Sequence, residues 1–306
     1  GLLRIITLYS YPLQLASLFL IGIGMAALST NVVKTIALWF GSKTDTAVGV
    51  YYAVSCLGIV VSQAVGELYD SVRQAYVIAE IALVAVTALW VIVDKNLPNG
   101  MNPPTEKPAL NTFLVAAKNT NVWLIALAVG FTLSSSTAFA GLLPQALESG
   151  KGMSGFAAGN MAASVTIASI FGCIVGPALC AHFKSFKPYL MIINIVASAA
   201  MLSVWYVEGN ASLHLALAAS GFLSAMTGPI LQAMPVMMKG IGSRFAGSAS
   251  GIIGTVSLAM SFLLPILISL LSNENYEINL IMQAVCFAIS ILPIAMLSKI
   301  EKERPA

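Results

Sequence analysis

Nine apolar stretches of about twenty residues run along the sequence, near 14–40, 48–68, 75–93, 122–142, 156–181, 188–207, 213–238, 246–271 and 278–298. Each is too long for a strand in a soluble core and long enough to cross a hydrocarbon layer of about 30 Å as a helix. Six of the nine contain no Lys, Arg, Asp or Glu. Inside lipid the backbone finds no water to bond, so a spanning segment must satisfy its own amides, and a helix does this within one segment. A β-barrel would show ten-residue segments of alternating polarity, which these continuous runs are not. Composition agrees: 58% of the residues are apolar and 9% charged, against about 45–50% and 25% in soluble proteins. With 15 basic and 12 acidic residues the chain has too few charges to coat a soluble domain of this size. A soluble enzyme, a nucleic-acid binder and a disordered chain are excluded together. The expected fold class is an all-α membrane protein, a multi-span helical bundle in a lipid bilayer.

The basic residues alternate between connections. One set of connections carries Lys43; Lys95, Lys107 and Lys118; Lys184 and Lys187; Lys239 and Arg244; and Lys299, Lys302 and Arg304. The other has Arg73 and Lys151, with Arg4 before the first span, and holds Glu148, Glu208, Glu274 and Glu277. The positive-inside rule puts the first set, and the C-terminus, in the cytoplasm of a plasma or inner membrane. The net charge of +3 follows from this pattern and calls for no nucleic acid. Residues 94–121 form the longest connection, polar and rich in Pro and Asn, and separate three spans from six. The expected organisation is a partial bundle over 1–93, a central cytoplasmic loop over 94–121 with a short helix from Ala109 to Asn119, and a six-helix bundle over 122–306.

Several local patterns resemble the major facilitator superfamily. Gly22-Ile23-Gly24 and Trp39-Phe40 bracket the first span as in that family's fourth helix. Gly49, Gly58 and Gly66 fall on glycine positions of its antiporter motif, where this chain has Ser62, Gln63 and Glu67 at three other positions of the motif. Gly176, Leu179, Lys184 and Lys187 resemble the loop motif after the eighth helix, with Cys180 and Ala181 where an Asp stands in the family. Gly247, Gly251, Gly254 and Pro265 resemble the glycine-rich eleventh helix. The likeness there is to nitrate/nitrite porters or other anion porters, although Thr255 and Ser257-Leu258 replace their Asn and paired Gly. The resemblance implies two pseudo-repeat bundles, with the visible spans matching helices four to twelve and about the first three absent. It also implies a monomer working by alternating access, with lining residues from the first, fourth and seventh visible spans.

Charged residues inside spans are costly and persist for a reason. Lys34 lies five residues before Trp39, roughly 8 Å inside the inner interface at 1.5 Å per residue. It either lines the pathway and binds an anionic group or snorkels as an interfacial anchor. Ser17, Gly24 and Asn31 recur every seven residues beside it, a small and polar stripe suited to protein or water rather than lipid. Glu80 is the proton-coupling candidate, if burial raises its pKa; a structural hydrogen bond or snorkelling to the outer surface is the competing role. In Ser134-Ser135-Ser136-Thr137 hydroxyls can hide by bonding their own i−4 carbonyls. Four in succession nevertheless surround the helix, so Ser135 and Ser136 are candidates for substrate contact. Asn160, Asn194 and Gln232 need interhelical partners or substrate. Thr227-Gly228-Pro229 and Pro235 predict a broken helix around Gln232, and broken helices free backbone groups for binding.

Gly58, Gly172, Gly176, Gly247, Gly251 and Gly254 are read as positions of close helix approach that also permit rocking. His182 and His214 have no ligand partner at i+3 or i+4, so no metal and no cofactor are expected. Cys56, Cys173, Cys180 and Cys286 all fall within spans and imply no disulfide framework. The chain lacks a glycine-rich ATP-binding loop. The expected function is therefore not enzymatic. It is secondary active transport of a small solute, an anion, with a proton or sodium ion as possible coupling partner. The alternatives are a proton-coupled drug or metabolite efflux pump of the same superfamily, or a non-transporting receptor or scaffold.

Overall fold

The computed structural model describes residues 2–66, 69–93, 110–183, 185–238, 240–273 and 275–298. Residues 94–109 of the central loop, with Lys184, Lys239, Glu274 and the tail beyond 298, lie outside the described residues, as do the side chains of Lys34 and Arg244.

Every regular element of the described residues is a helix. After the short α1 (Leu2–Ile6) come α2 (Tyr11–Phe40), α3 (Thr44–Gly66) and α4 (Val72–Val93). The short α5 (Leu110–Lys118) follows, where the sequence predicts a helix over 109–119. Then come α6 (Thr120–Lys151), α7 (Gly155–Cys180), α8 (Phe186–Tyr206), α9 (Asn210–Ala225), α10 (Gly228–Met237), α11 (Gly242–Ser272), α12 (Tyr276–Ile289) and α13 (Ile291–Met296). Over the described residues each of the nine apolar stretches is mainly helical, and seven helices among the described residues are long and apolar enough to cross a membrane.

Two stretches break. The first breaks between α9 and α10, where Gly228-Pro229 opens the new helix. Proline brings no N–H to the previous turn but has the φ a first helical turn needs. The second breaks at Ser290, between α12 and α13, three residues before Pro293. Pro144, Pro177 and Pro265 sit inside unbroken helices. Caps sharpen the connections: Asn119 accepts from the Asn121 amide, Ser154 from Ala157 and Asn275 from Ile278. Gly152 ends α6 in the left-handed conformation, φ 66°.

Two apolar cores fill the bundle from α6 onward. One gathers Val122, Ile125, Phe186, Leu190, Ile230, Met234 and Ile253; the other gathers Phe139, Leu143, Leu147, Met161, Leu217, Leu280 and Phe287. Between α7 and α9 the backbones touch. A Cβ at Gly172 would strike the Phe222 carbonyl, one at Gly176 the Met226 backbone, and one at Gly221 the Val165 backbone. Close packing of this kind replaces the hydrophobic drive that lipid cannot supply between helices.

The first four helices meet the rest through a smaller set of contacts: α3 with α7 and α10, and α2 with α10 and α11. One compact cluster joins them, Val33, Val48 and Ala233, with Ile36, Tyr52, Val236 and Met237 around it. These residues come from the end of α2, the start of α3 and the end of α10. By contrast, α4 has no buried residue.

Gly176→Val should destabilise the protein at the upper end of the about 1–3 kcal/mol typical of overpacking, because the obstacle is backbone. Gly254→Ala, whose Cβ would meet nothing within 4 Å, should be neutral or slightly stabilising. Thermal unfolding of the detergent-solubilised variants checks both.

Candidate functional site

The residues singled out in the sequence fall into two groups. Asn31, Lys34 and Gln232 belong to the seam between the two sets of helices. Val33 of α2 and Ala233 of α10 share the cluster at the seam, so Lys34 and Gln232 each stand one residue from it. Asn31 is exposed on α2; the Lys34 side chain lies outside the described residues. Gln232 is half-buried and hydrogen-bonds to no other described residue. Along the backbone, Lys34 and Gln232 are sequence neighbours of that cluster, and Asn31 lies three residues before Lys34 on α2.

Ser135 belongs to the second group, which holds the C-terminal bundle together. It is fully buried, and its Oγ donates to the Gln283 carbonyl of α12. Nearby bonds make a framework. Asn194 Nδ2 donates to Ser290 Oγ at 2.8 Å, Ser198 Oγ to the Ala284 carbonyl at 2.7 Å, and Asn279 Nδ2 to Ser272 Oγ at 3.2 Å. Ser136 instead bonds back to Leu133 O of its own helix, at 3.3 Å. Thr227, at the α9–α10 break, is fully buried and its Oγ1 has no partner. The break sits against α7, because Gly176 faces the Met226 backbone.

Glu80 is half-buried on a helix otherwise without buried residues, and it is engaged rather than free. One turn before it, the Tyr76 hydroxyl accepts from Arg4 Nη2 at 2.6 Å, with the guanidinium carbon 4.3 Å from the ring centroid. Of the candidate glycines, Gly172 and Gly176 are at backbone contacts, whereas Gly58 and Gly254 meet nothing within 4 Å in this conformation. Gly247 and Gly251 are half-buried on α11. His214 lies 3.2 Å from Ser164 Oγ through Nδ1, and His182 3.1 Å from the Ala178 carbonyl. Among the described residues no three His, Cys, Asp or Glu cluster as metal ligands would.

Sequence reasoning missed one face. On α6, Thr137, Gly141, Gln145 and Glu148 are all exposed, and their spacing puts them on a single side of the helix. The opposite sides pack on α7, α11 and α12. The strip carries Gln145 and Glu148 at its outer end, while Thr137 Oγ1 is satisfied by the Leu133 and Ser134 carbonyls of its own helix. The sequence range ends this span at 142, yet α6 runs through Pro144 to Lys151. Testing the helical spacing past the proline would have found the strip.

A polytopic bundle of long apolar helices in two packed sets is built as a membrane transporter is. A family model described as Major Facilitator Superfamily matches residues 1–298, and the chain belongs to that family. The chain is similar to an uncharacterized protein of Archaeoglobus fulgidus, at 26% identity over 187 residues, 61% of this chain and 84% of that one. In fold it is similar to a variant of the E. coli fucose:proton symporter FucP, with a TM-score of 0.74 at 16% identity over 97% of this chain and 80% of that one. FucP described as in the outward conformation gives a TM-score of 0.72 at 16% identity, over 97% and 79%. The protein is thus a multi-pass secondary transporter, not an enzyme.

Ser135→Ala should cost about 0.6 kcal/mol, the average for interhelical hydrogen bonds in membranes, and at most about 1.7 kcal/mol, and lower the unfolding temperature. Gln232→Ala removes no protein hydrogen bond and should lower it by less. Unfolding curves in one detergent compare the two.

Proposed function

We propose that the protein moves a small organic or inorganic anion across the cell membrane by alternating access, as a monomer. The supporting observation is an apolar cluster between the two sets at the end of α2, the start of α3 and the end of α10, beside the packing of α3 on α7 and of α2 on α11. Val33, Ile36, Val48, Tyr52, Ala233, Val236 and Met237 close the seam there, while Thr137, Gln145 and Glu148 of α6 stay exposed. The basic connections fall at the same end, Lys43 between α2 and α3 among them. By the positive-inside rule this end is cytoplasmic, with the C-terminus, and the conformation opens outward. Residues 1–93 and 122–306 are the two rocking units, and 94–121 is the loop between them.

Lys34 is the anion-binding group in this reading, with Asn31, Thr227 and Gln232 beside the path. Ser136 contributes less, and Ser135 acts as framework. Glu80 is the proton-coupling candidate; the proton symport named for FucP makes a proton the first ion to test, ahead of sodium. The glycines at α7 and α11 let helices shift without opening cavities.

Orientation is tested first. Cysteines at Lys43 and Ser185 should be labelled only from the cytoplasm, and ones at Ser149 and Asn210 only from outside. Labelling of Ser149 and Ser185 from the same face would break the assignment.

Lys34→Gln should weaken anion binding about tenfold to a hundredfold, the loss of one charge-assisted hydrogen bond of about 1.5–3 kcal/mol. Lys34→Arg should keep part of it, since charge survives while geometry changes. The measurement is equilibrium binding across a panel of anions at equal folded protein. Unchanged affinity in Lys34→Gln would remove the anion while leaving the transporter assignment in place.

A further inference from the structure

The break between α9 and α10 stands about ten residues before Met237, where its span ends. At 1.5 Å per residue that is about 15 Å, near the middle of a hydrocarbon layer of about 30 Å. Backbone bonds continue on either side of the break, from Met226 N to Leu223 O at 3.2 Å and from Leu231 N to Thr227 O at 3.1 Å. Between them the ladder fails. Pro229 has no N–H, and the Met226 carbonyl, which Ile230 would use in an unbroken helix, lies against Gly176 of α7. The ten-residue α10 therefore starts with the Gly228 and Ile230 amides outside its own ladder. Its N-cap is Thr227, which is fully buried; the Thr227 hydroxyl caps no amide and has no partner among the described residues. Gly228 beside it is half-buried, and a Cβ there would meet nothing within 4 Å. Donors and open space thus coincide at one helix end.

The charges around this end are few. Helices α2, α3, α6, α7, α9 and α11 pack on α10. Neither α7 nor α9, nor α10 itself, carries Asp, Glu, Lys or Arg. The described carboxylates of the others stand at helix ends, Asp45 at the start of α3 and Glu148 in the last turn of α6. The basic residues are Lys34 of α2, Lys151 at the end of α6 and Arg244 at the start of α11.

We propose that the N-terminus of α10 is an oxyanion site, where the Gly228 and Ile230 amides and the Thr227 hydroxyl donate to the acidic group of the transported solute. The proposal rests on the reading of the protein as an anion transporter and names the group that the solute presents. Free amides at the positive end of a helix favour a negative oxygen. A nitrate or a carboxylate offers several such oxygens, whereas a cation would meet donors where it needs acceptors.

The test uses the full chain in detergent, labelled with nitrogen-15 glycine and titrated with sodium nitrate, sodium acetate or urea. The amide signal that Gly228→Ala removes is that of Gly228. Nitrate and acetate should move it saturably; urea, planar like nitrate but uncharged, should not. Thr227→Val should weaken nitrate binding about tenfold or more, the loss of one hydrogen bond to a charged group, and Thr227→Ser should stay within about threefold of the wild type. Without anion, Thr227→Val should unfold at a temperature no lower than the wild type, because it removes a buried hydroxyl that has no partner. Saturable nitrate binding by calorimetry with the Gly228 signal unmoved, or with affinity unchanged in Thr227→Val, overturns the site and leaves anion transport with Lys34 in place. Binding of neither anion overturns the site and the anion reading together. A lower unfolding temperature of Thr227→Val without anion shows the hydroxyl holding the fold and overturns its part in the site.

Discussion

In hydrocarbon every backbone amide must find its partner inside its own helix, and lipid tails are as apolar as leucine. Helices already in a membrane therefore gain little from burying apolar faces against one another. Cohesion has to come from contact close enough to add dispersion, and from a few interhelical hydrogen bonds. The chain meets this demand with missing side chains at Gly172, Gly176, Gly221 and Gly49, where one helix lies against the backbone of another. It adds the bonds that join α6, α8, α11 and α12 through Ser135, Asn194, Ser198 and Asn279.

These devices are unevenly distributed, and their distribution explains what can move. Within the helices from α6 onward, backbone contacts and buried polar bonds make a rigid body. Between that body and α2 and α3, α3 packs on α7 and α10 and α2 on α10 and α11, through an apolar cluster and the Gly49 approach among other contacts. Apolar side chains can separate into water or lipid without leaving a buried donor or acceptor unpaired. Parting Asn194 from Ser290 would leave the buried Asn194 Nδ2 without its acceptor. The interface that must open in a rocking transporter is the one with least to lose.

The broken helices serve the same division. Thr227-Gly228-Pro229 interrupts α9 and α10 where Gly176 brings α7 onto the Met226 backbone. The kink turns Ala233, Val236 and Met237 toward α2 and α3. One proline thus redirects the last turns of a span from the rigid body to the movable seam.

Much of this was legible in the sequence. Over the described residues the nine apolar stretches are mainly helical, the short helix before α6 came out as expected, and Gly228-Pro229 marked a true break. Spans are readable because the bilayer sets their length and the backbone's demand for internal hydrogen bonds sets their form, both local constraints. The direction in which a polar side chain points is not local. Ser135 and Ser136 look alike in the sequence, yet one bonds across to Gln283 and the other back to Leu133. Gly58 and Gly172 look alike, yet one faces open space and the other a carbonyl. The strip Thr137–Gly141–Gln145–Glu148 was hidden by a proline that the packed helix tolerates. By itself the sequence determined the class of protein, the number of apolar stretches and the pattern of basic connections. Only the tertiary structure decided which side chains meet, Ser135 with the Gln283 carbonyl and Asn194 with Ser290 among them, because helix crossings join residues that no spacing along the chain relates.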